Sequence, residues 1–242
     1  MLKIEKTVLP SPEQWEIIIE GMRNPKNSWD RMDSRFHGVR YLMYSDNEPM
    51  CFIDEEGQSF VCDQFIAGPN DHKLMTNLAK GGPVHAKYRR MIPVYVTINA
   101  PLYWWKEFDT YKVGTVCNSC STMHKIQEKE FTPDDFSCEH LFDDTEGIDT
   151  KDWYYDTLLG IIDALNTARE SYLTSKEKRY WWQMIQLLPT SYNQKRTIML
   201  NYEVLVGIYR WRKNHKLDEW HTFCDWIEQL PYSELITGNG VE

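Results

Sequence analysis

Residues 107–124 concentrate side chains that could do chemistry. Asn118, Ser119, Ser121 and Thr122 follow directly on a helix-like run carrying Glu107, Tyr111 and Lys112. Hydroxyls and amides beside a carboxylate, a phenol and an ammonium supply donors and acceptors at close spacing, the chemistry that grips a phosphate or a sugar. Cys117-x-x-Cys120 lies in the same stretch, and with His124, Cys138 and His140 it offers half of a zinc site. A complete zinc signature pairs two such knuckles, and Cys138-x-His140 is not a usual second half. A dithiol gains reactivity at a helix N-terminus, whereas this pair follows a helix end. Ligand pocket, zinc clip, redox pair, and core aromatics followed by small residues on a tight strand are therefore four open readings of one segment.

The flanking elements must position these groups. Upstream, "IPVYVTINAP" alternates Val94, Val96 and Ile98 with Tyr95, Thr97 and Asn99, the pattern of a half-buried strand. Pro101 then predicts a helix over "PLYWWKEFDTY", with Leu102, Trp105 and Phe108 on one face and Gly114 ending it. "TVCNSCST" reads as a loop or extended segment. Nearer the N-terminus, "LKIEKTVLP" is strand-like, and Ser11-Pro12 opens a helix that aligns Trp15, Ile18, Ile19 and Met22. Residues 23–60 are turn-rich, with weak strands at "VRYLMYS" and "PMCFID". "GPNDHKLMTNLAKGG" predicts a short helix capped by Asn70 or Asp71 and stopped by Gly81-Gly82, and a second helix follows in "PVHAKYRRM".

Residues 127–151 form an acidic excursion or linker with a turn at "CEHLF". Four helical stretches come after it: "WYYDTLLGIIDALNTARESYL", "KEKRYWWQMIQLLP", "NYEVLVGIYRWRKN" and "LDEWHTFCDWIEQL". The fold class is α+β, an antiparallel or mixed sheet with helices and a helical C-terminal half. A single domain over 1–242, with an acidic insertion around 127–151, is expected.

Composition narrows the function. Of 242 residues 36 are acidic and 27 basic, a net charge of −9, which argues against a non-specific nucleic-acid binder. It leaves room for a small phosphorylated ligand held by a few local cations. No apolar stretch approaches the roughly 20 residues that span a bilayer, and "MLKIEKTVLPSPEQW" has no signal-peptide core, so no membrane association and a cytoplasmic location are expected. The six cysteines are read as free thiols.

Taken with its flanks, the segment resembles the flavin-dependent thymidylate synthases, whose signature is RHRxxSxNxxSxR after a strand, an Ala-Pro-like turn and a helix. "VYVTINAPLYWWKEFDTYK" is similar to that lead-in. Thr110, Tyr111 and Lys112 then fall on the Arg-His-Arg trio and Thr115 on the first serine. With one residue inserted at Cys117, Asn118 and Ser121 match the next fixed positions, and Met123 takes the final arginine. A second match lies downstream in Leu188-Pro189, Asn201 and "YRWR" ending in Arg212, with Glu219-Trp220 after them. Ile185 and Met91 stand where the family has an arginine and a histidine, and Glu203 and Gly207 where it has polar flavin contacts.

The resemblance implies methylation of dUMP, or a related pyrimidine nucleotide, to dTMP. Reduced FAD, methylenetetrahydrofolate and NADPH would take part, in a homotetramer with sites built between subunits. Arg212 is implied as catalytic and, with Ser121, Thr122 and Glu107, substrate-binding. Tyr111, Lys112, Asn118 and Asn201 are implied to bind the cofactor, with no metal in the site. The alternatives are an altered or inactive nucleotide-binding homologue and a zinc-stapled interaction module.

Overall fold

The computed structural model describes residues 1–36, 44–45, 48–49, 52–53, 59–60, 65–141 and 151–238. In chain order the elements are β1 (Lys3–Val8), α1 (Pro12–Arg23), β2 (Arg35–Phe36), β3 (Tyr44–Ser45), β4 (Glu48–Pro49), β5 (Phe52–Ile53), β6 (Ser59–Phe60), β7 (Phe65–Ile66) and α2 (Pro69–Lys80). Then come β8 (Pro93–Pro101), α3 (Leu102–Phe108), β9 (Val116–Ser119), α4 (Lys151–Ser175), α5 (Lys178–Leu187), β10 (Asn193–Asn201), α6 (Tyr202–Arg212), α7 (Asp218–Glu228) and α8 (Glu234–Thr237). The fold is α+β, as expected: a four-stranded sheet in the order β1-β8-β10-β9, with helices dominating the second half. β9 pairs antiparallel with β10, Asn118 opposite Thr197 and Cys117 opposite Ile198. The weak strand expectation at 39–45 meets β3, and that at 49–54 meets Pro49 of β4 and then β5; residues 39–43, 50–51 and 54 lie outside the described residues.

The chain divides into two compact units. The first comprises Met1–Thr7, Val96–Met199 and Arg212–Asp225; the second Val8–Tyr95, Leu200–Trp211 and Trp226–Glu242. In the first, α4 and α5 pack on one another across a two-residue link and enclose Leu158, Ile162, Leu165 and Met184. Ile126, Phe131 and Phe136 are buried in the same cluster. The beginning of the acidic stretch is therefore core and not a linker: its aromatics alternate with charges too irregularly to show a period. Asn166 fixes it by accepting from the Phe131 N–H and donating to the Phe131 carbonyl, both at 2.9 Å. The turn expected at "CEHLF" is the 3₁₀ turn Glu139–Leu141, and residues 142–150 lie outside the described set.

In the second unit α1 starts on a capping box, Ser11 accepting from Gln14 N–H and the Gln14 side chain from Ser11 N–H. Its apolar face buries Trp15, Ile18, Ile19 and Met22, as the sequence spacing predicts. The cap of α2 differs from expectation. Gly68 is the N-cap, and Asp33 supplies the acceptors, taking the N–H groups of Asn70 (2.8 Å) and Asp71 (2.9 Å). Asp71 turns inward, is fully buried, and accepts from Arg23 and from the N–H groups of Asp33 and Ser34. A long-range carboxylate can displace the local Asx cap because it satisfies two orphan donors at once. A Cβ at Gly68 would lie 2.4 Å from the Asp33 backbone, so only glycine permits this approach. The helix expected in "PVHAKYRRM" is a shorter 3₁₀ stretch, Lys87–Met91. Arg89 anchors it on Glu203 at 2.8 Å.

The Asp33 carboxyl is held below the usual carboxylate range: slight burial opposes ionisation, and the N–H groups of Asn70 and Asp71 outweigh it. A carboxyl depressed by folding stabilises at neutral pH and loses that contribution as pH falls through its folded value. Asp33→Ala is expected to cost about 1 kcal/mol at neutral pH, and the deficit should shrink in strong acid. Thermal melts at both pH values check this, and an equal deficit in both would exclude a carboxylate cap.

Candidate functional site

The site is built outward from α3. Pro101, its N-cap, offers no side-chain acceptor, so the N–H groups of Leu102 and Tyr103 donate instead to the carbonyls of Tyr192 and Thr190, each at 3.0 Å. Trp104, Trp105 and Phe108 are buried, whereas Leu102 is only half-buried and Trp104 takes the place expected for it. Trp104 packs on Phe108, Trp220 and Phe223 with centroids 5.2, 4.8 and 5.7 Å away. The helix stops at Phe108, earlier than expected. Its last turn tightens, Thr110 N–H bonding to Glu107 and Tyr111 N–H to Phe108, and Gly114 follows in a turn at φ 77°. Tyr111 and Lys112 are thus turn residues.

Glu107, on the solvent side of α3, collects three donors on one carboxylate oxygen. Oε2 accepts from Arg212 Nη1 at 2.8 Å and Trp220 Nε1 at 3.1 Å, and lies 3.3 Å from His215 Nε2. His215 Nδ1 accepts the Leu217 N–H at 3.2 Å, which leaves the Nε2 proton facing Glu107. Arg212, the last residue of α6, also donates from Nε to the Tyr111 hydroxyl at 2.9 Å. Its guanidinium lies 4.7 Å from the Trp220 ring centroid and 5.6 Å from that of Tyr111. Next to Trp220, Glu219 accepts from Tyr103, whose phenol is pushed above its ordinary range by burial and then by that carboxylate.

A second arginine ties the turn to β9. Arg196 Nη1 binds Asp109 at 2.7 Å, its Nε donates to Gln194 at 2.9 Å, and its guanidinium stacks 4.4 Å over Trp105. Gln194 in turn donates to the Cys120 carbonyl at 2.8 Å. Arg196 Nη1 also lies 3.9 Å from Cys117 Sγ.

Of the residues singled out from sequence, the fold brings Glu107, Tyr111 and Arg212 together. Asn118 is exposed on β9, and Lys112 is exposed on the turn before it. Ser121 Oγ accepts from the N–H groups of Met123 (3.3 Å) and His124 (2.8 Å), closing the turn that also carries Thr122. Asn201 caps α6 by accepting the Val204 N–H at 3.1 Å, at the opposite end of that helix from Arg212. Among the described residues, none of these five hydrogen-bonds to the Glu107 cluster. Cys117, Cys120 and Cys138 are free thiols, and no three His, Cys, Asp or Glu among the described residues group as metal ligands.

Sequence reasoning missed β10, and with it Arg196 and Gln194, because "NQKRTIML" begins with four polar residues. Gln194, Ile198 and Leu200 are buried at alternate positions, and that alternation was the available signal. His215 was missed as well, since nothing in the five-residue link between α6 and α7 marks a histidine as a carboxylate partner.

Neither family models nor curated protein sequences give a match to the chain. Solved structures do. Flavin-dependent thymidylate synthase ThyX from Helicobacter pylori, complexed with FAD and dUMP, superimposes with TM-score 0.57 and 13% identity, over 98% of this chain and 97% of that one. A second structure of that enzyme with FAD and dUMP gives 0.58 and 14%, over 100% and 98%. The UMP/dUMP methylase PolB from Streptomyces cacaoi, bound with 5-Br dUMP, gives 0.57 and 12%, over 100% and 96%. The chain has the ThyX fold. At these identities the fold is what is shared, and the side chains of the site are this chain's own.

Thr115 Oγ1 is buried with no hydrogen-bond partner among the described residues. Native folds seldom leave such an oxygen unpaired, so it fits a ligand contact on the turn that carries Tyr111 and Lys112.

Glu107→Ala would leave Arg212, only 17% exposed at its side chain, without its carboxylate. Breaking a fully buried pair costs about 3–5 kcal/mol, and the 35% exposure of Glu107 reduces the expectation to about 1–2 kcal/mol. Asp109→Ala, at a carboxylate 50% exposed, should change stability by about 0.5 kcal/mol. Urea unfolding of the two variants checks the ranking, and equal losses would refute a special role for the Glu107 oxygen.

Proposed function

We propose that this chain is a flavin-dependent enzyme that methylates a pyrimidine nucleotide, dUMP to dTMP. The observation that carries the reading is Arg212, clamped by Glu107, Tyr111 and Trp220, in a fold shared along nearly its whole length with an enzyme solved with FAD and dUMP. When bound, reduced FAD would supply hydride equivalents, with methylenetetrahydrofolate as carbon donor and NADPH as reductant of the flavin. Lys112 and Asn118, both exposed, would hold the flavin with Tyr111, and the Asn201 amide is a further candidate contact for it. Ser121 and Thr122 would donate hydroxyl protons to the nucleotide; Ser121 uses only its lone pairs in closing its turn, so its O–H proton remains for a ligand.

Arg212 is the group with a defined chemical task. Its charge is already balanced by Glu107 at 2.8 Å, so it presents oriented N–H donors with little net charge. That suits polarising a pyrimidine carbonyl better than neutralising a phosphate dianion. Glu107 and Trp220 hold the guanidinium plane, and Glu107 acts in this reading as a positioning residue.

A second reading, methylation of UMP or of another pyrimidine nucleotide, is favoured by PolB, described as a UMP/dUMP methylase. Substituted signature positions at Thr110, Tyr111 and Met123 also support an altered or inactive nucleotide-binding homologue.

The purified protein is expected to be yellow or to take up FAD, to scatter light as a homotetramer, and to release tritium from 5-labelled dUMP. Arg212→Lys should lower that release about a hundredfold, because an ammonium cannot reproduce the oriented fork. FAD uptake without tritium release from dUMP but with methylation of UMP would select the second reading. A colourless monomer that ignores FAD would refute both.

A further inference from the structure

A cleft of about 340 Å³ opens in the first unit where α4 passes into α5, away from the Glu107 cluster. Met123 and His124, from the turn closed by Ser121, form one wall; Tyr172, Lys176, Lys178 and Trp181 form the other. No acidic residue lines it. Among the described residues, no carboxylate lies within ion-pair distance of Lys176, Lys178 or His124. The nearest acid in sequence, Glu177, turns to Arg179 at 2.9 Å. On a chain of net charge −9, three cationic or cation-capable side chains without counter-ions in one cleft are unusual.

Three features give the cleft its chemistry. The ammonium groups are loosely held, Lys176 Nζ 6.0 Å from the Tyr172 centroid and Lys178 Nζ 5.7 Å from that of Trp182, so both can turn to an anion. Lys178 is the first residue of the ten-residue helix α5, whose N-terminus has no side-chain cap, leaving backbone donors beside the same space. Trp181 is fixed by its Nε1 hydrogen bond to the Met123 carbonyl at 2.9 Å, which offers a rigid aromatic surface. Lys176 itself sits at φ 59°, a position after a helix where glycine is the unstrained choice.

We propose that this cleft binds a phosphorylated planar ligand, a nucleoside monophosphate, with its phosphate between Lys176, Lys178 and His124 and its ring on Trp181. Binding at the cleft stands on its own lining and is separate from the methyl acceptor, whose pyrimidine the function proposed above places at Arg212.

The test is calorimetric titration of the full-length protein, without flavin, with dUMP, deoxyuridine and inorganic phosphate. Wild type, K176Q/K178Q and Arg212→Lys are compared, with circular dichroism melts to confirm folding; both lysines are exposed, so the double variant is expected to melt as wild type does. The expected result is dUMP binding at least tenfold tighter than deoxyuridine, weakened at least tenfold in K176Q/K178Q. No dUMP binding by wild type, equal binding of deoxyuridine, or undiminished binding in the double variant would each overturn the cleft. Binding lost in Arg212→Lys but kept in K176Q/K178Q overturns the cleft and leaves the methylation reading intact. Binding lost in K176Q/K178Q from a protein that releases no tritium keeps the cleft and removes the synthase.

Discussion

A single carboxylate oxygen organises the candidate site. Glu107 Oε2 is met by a guanidinium, an indole N–H and an imidazole, contributed by three segments distant from it in sequence. A carboxylate oxygen has two lone-pair directions and tolerates a third, looser donor, and the distances follow that order, 2.8, 3.1 and 3.3 Å. If α3 were displaced by one residue along its axis, the carboxylate would rotate by about 100° and lose all three. The buried tryptophans beneath prevent this, since Trp104 and Trp105 are wholly enclosed and cannot rotate without opening voids. Polar geometry on the solvent side of α3 is therefore set by aromatic packing on the other side.

The two arginines near the α3 terminus occupy different electrostatic situations. Arg212 is stacked, paired and largely enclosed, with its plane fixed. Arg196 is stacked on Trp105 as well, but its carboxylate partner is half exposed, and its further contacts run through Gln194 to the backbone of β9. The first arrangement suits recognition of a neutral, planar edge. The second suits holding the turn and the strand in register, so that Asn118 and the Ser121 turn follow from β9 with little slack.

A comparable exchange of local for long-range partners shapes the second unit. Asp33 caps α2 from outside the helix while Asp71, inside it, accepts from the backbone of Asp33 and Ser34. The two carboxylates thus lock a loop and a helix end together, and Arg23 neutralises the buried member. Such reciprocity accounts for the glycine at 68, because the loop backbone must approach where any side chain would stand.

Patterns with a short period were legible in the sequence. The alternation of Val94, Val96 and Ile98, the apolar face of α1, and the four C-terminal helices are local signals, and each was found as an element. The strand–turn–helix lead-in with Asn118 and Ser121 also points to the fold, and Glu107, Tyr111 and Arg212 are legible as candidates one by one, though their proximity is not. Where the helix ended was not legible, since "DTY" after Phe108 is as compatible with helix as with turn until Arg212 claims the Tyr111 hydroxyl. Neither were β10, the Asp33 cap or the burial of Phe131 and Phe136, each of which depends on partners about 35 or more residues away. The sequence by itself determined which segments could be helices and strands and which residue types could bind a nucleotide. Only the tertiary structure decided which of them share an oxygen, because hydrogen bonds reach about 3 Å and no spacing along the chain encodes that contact.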